Sequence, residues 1–262
     1  MTALVRAELR KVLSTRLWWG LLIGALAFSA LQSGVTAAFS GMEAGPVQPA
    51  LPGLDTAEAV RSVYPLSMVT GTYMFALVLG ITGMTGEYRY QTITSTFLVS
   101  PRRARVVVAK VLAHALVGAG FAVAGLLTVL VVGGTVMSLR GHGLGLDAER
   151  LWPTMGLAVL AVATWTVVGI GVGTLIRSQI VAIVLALLFT FLIEPLVSLA
   201  AAAAGLDQVA RWLPGNASSA LMAPGDTMLD YLDWWAGGLV LLGYGLVLAG
   251  LGVVLSVRRD VS

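Results

Sequence analysis

The chain has 262 residues, 58 % of them hydrophobic and only 11 % charged, against roughly 25 % charged in a soluble domain, so an ordinary water-soluble fold is excluded. With no cysteine and 2 histidines, it offers no disulfide, no thiolate site or nucleophile and almost nothing for a histidine metal site. The formal charge of +3 is small, and the placement of the charges says more than their sum.

Residues 2–16 come first. Val5, Leu9, Val12 and Leu13 share one helical face, with Arg6, Arg10, Lys11 and Arg16 elsewhere, the pattern of an amphipathic helix lying on a membrane surface. Spanning a bilayer takes about 20 mainly apolar residues. Six stretches qualify, near 17–39, 63–85, 106–137, 152–176, 179–203 and 235–257. The first follows a basic front, as a signal peptide does. It is longer than the usual h-region of about 7–15 residues and five spans follow, so it reads as a retained helix. The third is long enough to project beyond the bilayer or tilt. Trp18, Trp19, Trp152, Trp234 and Trp235 stand at span ends, where indole rings favour the headgroup layer.

With both termini on one side, only Arg61, Arg140, Arg150 and Arg211 of the 16 basic residues fall on the other. The positive-inside rule makes the termini cytoplasmic. The expected fold is therefore all-α: one polytopic membrane domain over residues 1–262, with six transmembrane helices, both termini cytoplasmic and an amphipathic N-terminal interfacial helix. Residues 40–62 and 138–151 read as external loops, rich in proline and in glycine respectively. Residues 204–234 carry Pro214-Gly215 and Pro224-Gly225 turn signals and read as an external segment of short helices. Gly118 with Ala122 and Gly169 with Gly173 place small residues four apart, which lets helix backbones approach closely.

Chemistry is scarce. No His-Glu-x-x-His or Gly-x-Ser-x-Gly motif occurs. A lone His114 in the third span reads as a packed residue. The two lysines, Lys11 and Lys110, are each followed by valine, so no Gly-Lys-Ser/Thr phosphate loop exists and any ATP must be bound by another chain. Glu194, in "FLIEPLV", is the exception: an ionisable group inside a span is a functional candidate. Pro195 after it removes a helix hydrogen bond, and structural, gating and substrate roles are all open to Glu194.

The second span stops plausibly at Thr85-Gly86. "GEYRYQTITSTFLVSPRR", residues 86–103, then places Glu87, two tyrosines, threonines and arginines on the cytoplasmic side. Arginines alone fit lipid anchoring. Tyrosine with arginine fits a gripped protein surface.

Together, "LVRAELRKVLSTR", "GEYRYQTITSTFLVSPRRARVVVAK" and "FLIEPL" resemble the permease subunits of bacterial type-2 ATP-binding-cassette exporters, over essentially the whole chain. The resemblance implies a coupling helix after span two that docks on a separate nucleotide-binding ATPase, present in two copies. Glu87, Tyr88, Arg89, Gln91, Thr92 and Thr94 would line that surface, with Arg102 and Arg103 beside it. It also implies a second, identical permease forming a homodimer in the inner membrane, and short re-entrant external helices. ATP and Mg would sit on the partner ATPase, with no cofactor, metal, catalytic residue or nucleic acid on this chain. Hydrophobic or amphipathic substrates (drugs, antibiotics, lipids or peptides) would move by alternating access. The competing readings are a proton- or ion-coupled carrier titrating Glu194, an intramembrane enzyme, and a non-transporting assembly factor.

Overall fold

The structure is a computed structural model that describes residues 1–42, 51–90, 103–222 and 232–259. Among these the secondary structure is all helical, as a chain must be if its backbone polar groups are to be satisfied inside hydrocarbon. Six helical stretches are long and apolar enough to cross a membrane.

Helix α1 (Thr2–Ser14) precedes the first span, α2 (Leu17–Phe39). The second span is built from α3 (Ala57–Arg61), a π-helical turn (Ser62–Leu66) and α4 (Ser67–Arg89). It therefore begins inside the stretch expected to be loop. The Thr56 hydroxyl accepts the Ala59 N–H at 3.2 Å and caps the new start. Pro65 sits in the π turn, where the widened ring absorbs the missing donor. The same helix also runs past Gly86, the anticipated stop, to Arg89. One internal glycine costs only about 1 kcal/mol, and Glu87 in that extra turn gains buried partners, described below.

Helix α5 (Arg103–Leu139) is the third span, with 37 residues and hence about 55 Å long. Helix α6 (Leu151–Leu175) is the fourth. The fifth is α7 (Gln179–Leu188), a π turn (Phe189–Ile193) and α8 (Glu194–Ala203). Pro195 is at the start of α8, so the hydrogen bond it cannot make falls in the turn that has already changed register. Gly205, at φ +68°, ends that span. Its N–H reaches Ala202 O and the Leu206 N–H reaches Ala201 O, the paired bonds of a Schellman stop. Short helices α9 (Asp207–Ala210) and α10 (Pro214–Met222) follow, then α11 (Trp234–Arg259), the last span.

Helix α4 packs most extensively against α6, and α6 also packs against α11. The contact depends on glycine. A Cβ on Gly80 would collide with the Thr166 carbonyl, and one on Gly169 with the Leu77 carbonyl. The Gly169–Gly173 pair thus joins helices within one subunit: Gly173 faces Ile81 and Met84. In hydrocarbon, where the hydrophobic effect gives helices no reason to associate, such backbone proximity supplies the dispersion energy that does.

Replacing Gly169 by leucine therefore forces α4 and α6 apart, since a backbone carbonyl cannot rotate aside. We expect a loss of about 3 kcal/mol, the upper end of overpacking costs. It is checked by thermal unfolding of the purified protein beside Gly156→Leu, whose added Cβ would meet nothing within 4 Å.

Candidate functional site

Helix α1 offers a stripe of Leu4, Val5, Glu8, Leu9 and Val12 to the rest of the chain, and only Glu8 and Val12 of these are fully buried. Leu13, expected on the apolar face, is 50 % exposed. A carboxylate at the centre of a buried stripe demands a counter-charge. Two are present. Lys11 Nζ lies 2.7 Å from Glu8 Oε1, and Lys110 Nζ, from α5, bonds Glu8 Oε2. Both ammonium groups also reach Glu87 Oε1 on α4, each at 2.9 Å. The chain's two lysines thus close a ring with two glutamates, and the ring carries no net charge.

The Lys110 ammonium has three hydrogens and three acceptors: Glu8, Glu87 and the Gly83 carbonyl at 3.1 Å. Every donor is used, which is what makes burial of an ammonium tolerable. Glu87 stands in the last turn of α4, where the helix dipole disfavours a carboxylate; the two lysines offset that. One turn along α5, His114 Nδ1 is 2.9 Å from the Lys110 carbonyl. A carbonyl only accepts, so Nδ1 carries the proton. Nε2 is then an acceptor with no partner among the described residues, pressed against Gly83, where a Cβ would collide with the ring. A cavity of about 470 Å³ opens beside the ring, walled by Trp18, Leu79, Thr82 and His114.

The other anticipated residues divide around this ring. Glu87 faces inward, 7 % exposed. Tyr88 lies beneath the Arg177 guanidinium at 5.5 Å, a cation–π contact that ties the end of α4 to the α6–α7 connection. Arg89 and Tyr90 are exposed, Tyr90 by 71 %, and stack on each other at 5.7 Å. Gln91, Thr92, Thr94 and Arg102 lie outside the described residues, and Arg103 is the first residue of α5. Arg6, Arg10 and Arg16 are exposed. Glu8 and Lys110 went unrecognised as site residues in the sequence. The signal for Glu8 is a lone carboxylate among Val5, Leu9 and Val12.

Glu194 is 4 % exposed and belongs to a second polar cluster. Its Oε1 accepts the backbone N–H groups of Gly215 and Asn216, the first turn of α10. A carboxylate there satisfies orphan donors and meets the positive end of the helix dipole. The Asn216 amide donates to Ser198 Oγ at 3.0 Å and to the Ala210 carbonyl at 2.8 Å. Pro195 itself is exposed.

Burial by itself would raise the Glu8 carboxyl, but the Lys110 charge and bonds from both lysines hold it below the usual 4.5. Burial would lower Lys11, and its bonds to Glu8 and Glu87 win, raising it above the usual 10.5. A lowered carboxyl stabilises above its unfolded value and loses that contribution as pH falls through the folded one. A raised ammonium stabilises below its unfolded value and loses that contribution as pH rises through the folded one. The contributions of Glu8 and Lys11 are thus complete between the two ordinary values and fade beyond them, toward the lower folded value of Glu8 and the higher one of Lys11. We expect Lys110→Met to cost about 3–5 kcal/mol by stranding two carboxylates on one lysine. Lys11→Met costs much less, because that side chain is 46 % exposed. Thermal unfolding across pH measures both, and Glu8→Gln removes the part of the acid-side decline that belongs to Glu8.

No curated protein matches the chain. Residues 4–193 match the family described as ABC-2 family transporter protein. That stretch takes in α1, the first four spans, the charged ring and the fifth span up to the residue before Glu194. With six membrane-length helices and a family match over well beyond half its length, the chain belongs to the ABC-2 transporter family, as a membrane permease subunit.

Proposed function

We propose that this chain is the membrane-spanning half of an ATP-driven exporter in the bacterial inner membrane, with both termini cytoplasmic. It pairs with an identical permease and two copies of a separate ATPase that carries the nucleotide and its Mg. It moves a hydrophobic or amphipathic substrate by alternating access. The observation that carries the reading is the ring of Glu8, Lys11, Glu87 and Lys110. It joins the N-terminal helix, the end of the second span and the start of the third, and it lies beside exposed Arg89 and Tyr90.

A push on the segment after Arg89 is delivered to the last turn of α4. Glu87 in that turn cannot move alone, since displacing it leaves two ammonium groups short of an acceptor. The cost of separating buried ions, about 3–5 kcal/mol, makes α1, α4 and α5 respond together. Arg89, on the outer side of the same turn, is placed to be gripped, and Tyr88 carries the movement to the α6–α7 connection through Arg177. The six helices, the missing phosphate loop and the family support this division of labour.

Co-expression with the genetically adjacent ATPase, capture in detergent and transport assays in liposomes test it. Arg89→Ala weakens capture, by about tenfold if Arg89 is an interface hot spot. Glu87→Gln keeps capture and lowers the transport obtained per ATP hydrolysed. Absence of the ATPase from the wild-type eluate, with transport that follows the proton gradient instead, overturns the exporter reading in favour of a carrier.

A further inference from the structure

The second polar cluster leaves one group unused. Glu194 Oε1 is taken by two backbone donors, whereas Oε2 is buried and has no hydrogen-bond partner among the described residues. A carboxylate can accept about four bonds, and leaving half of it unpaired away from water is expensive. Glu194 also lines a partly open cavity of about 530 Å³ between α4, α6, the fifth span and α10. That volume is within the range of small-molecule sites.

The cavity wall is aromatic and hydroxylic. Tyr73 and Trp165 both line it, with ring centres 5.2 Å apart, and Phe191 stands 5.9 Å beyond Tyr73. Trp165 is fixed by its Nε1–H donating to Ser218 Oγ at 3.0 Å. Thr70, Thr190 and Ser219 add hydroxyls. Among the described residues no Lys or Arg lines the cavity to neutralise the carboxylate. Electron-rich ring faces beside an unpaired carboxylate attract a cation and give an anion nothing.

We propose that this cavity is a binding site for an organic ammonium with an apolar body, its charge set against Tyr73 and Trp165 and opposite Glu194. This deepens the permease reading by giving the substrate a chemical class, and it rests on that reading only for the statement that the ligand is transported. An ammonium supplies the missing counter-charge within reach of the hydroxyls, the apolar body lies against the aromatic and aliphatic part of the wall, and the π turn at Phe189–Ile193 gives the fifth span a place to yield as the site fills.

Glu194→Gln separates this role from the helix cap, because its carbonyl oxygen still accepts from Gly215 and Asn216 while the charge is gone. The probe is N-dansyl-1,6-diaminohexane, compared with its N-acetylated neutral counterpart on full-length permease in maltoside micelles, without ATPase or nucleotide. Wild type is expected to prefer the amine by about tenfold or more, and Glu194→Gln to bind both probes equally. Tyr73→Leu, which leaves the cap untouched, loses the preference as well and serves should the glutamine variant fail to fold. Competition by phosphatidylethanolamine assigns the ammonium to a lipid headgroup; no competition assigns it to a free amine. Equal binding of the two probes by wild type, or an undiminished preference in either folded variant, overturns the site. Loss of the ATPase from the eluate with the amine preference intact would overturn the exporter reading alone.

Discussion

A lysine ammonium held away from water sets the geometry at one end of this protein. Lys110 can be charged there only because three acceptors on two other helical elements converge on it, Glu8 from α1 and Glu87 with the Gly83 carbonyl from α4. Remove any one and a donor is left bare in a medium that does not forgive it. The positions of α1, α4 and α5 are therefore coupled by satisfaction of hydrogen bonds, which is directional, and not only by apolar packing, which is not. Gly83 belongs to the same constraint: its carbonyl accepts from Lys110, and the His114 ring occupies the space that a Cβ would fill.

The other polar cluster obeys the same rule with a different donor. The short helix α10 brings its first N–H groups into contact with the fifth span, where a buried side chain and not water must cap them. Glu194 supplies the cap, and Asn216 fastens the same turn to Ser198 and Ala210. The ionisable group anticipated in the fifth span thus caps a neighbouring helix with one of its oxygens. Its second oxygen is left over because two backbone donors are all that the start of α10 presents.

Much of this was legible in the sequence, and the division is physical. The six spans are local: each is a run of apolar residues that announces itself, and the short helices after Gly205 follow from turn signals around Pro214. The partnership of Lys11 and Lys110 is not local. They are the chain's only lysines, and that scarcity was visible, but nothing in their spacing says that both meet Glu8 and Glu87. The extra turn after Gly86 was missed for the same reason, since the partners that sustain Glu87 lie on α1 and α5. The helical start at Ala57 hid behind prolines that favour a loop reading, and π turns leave no periodic signature.

Burial is uneven across the bundle. In their most apolar stretches, the second and fourth spans are 61 % and 67 % buried, whereas the first and fifth are 22 % and 17 %. The glycine-paired α4 and α6 form a block that cannot shear without backbone collision. The fifth span touches that block lightly, so displacing it forfeits little dispersion energy. Yet it is not free, because Glu194 and Ser198 tie it to α10, and α10 packs closely on α11. Any outward movement of α8 must either uncap α10 or carry α10 and α11 with it. The first leaves two backbone donors without partners; the second keeps the Glu194 cap but breaks the Trp165–Ser218 bond and drags the close glycine contacts of α11 across α6. The π turn at Phe189–Ile193 lies between the part of the fifth span that is tied and the part that is not, so bending there changes the cavity at Glu194 while the glycine-packed block stays still.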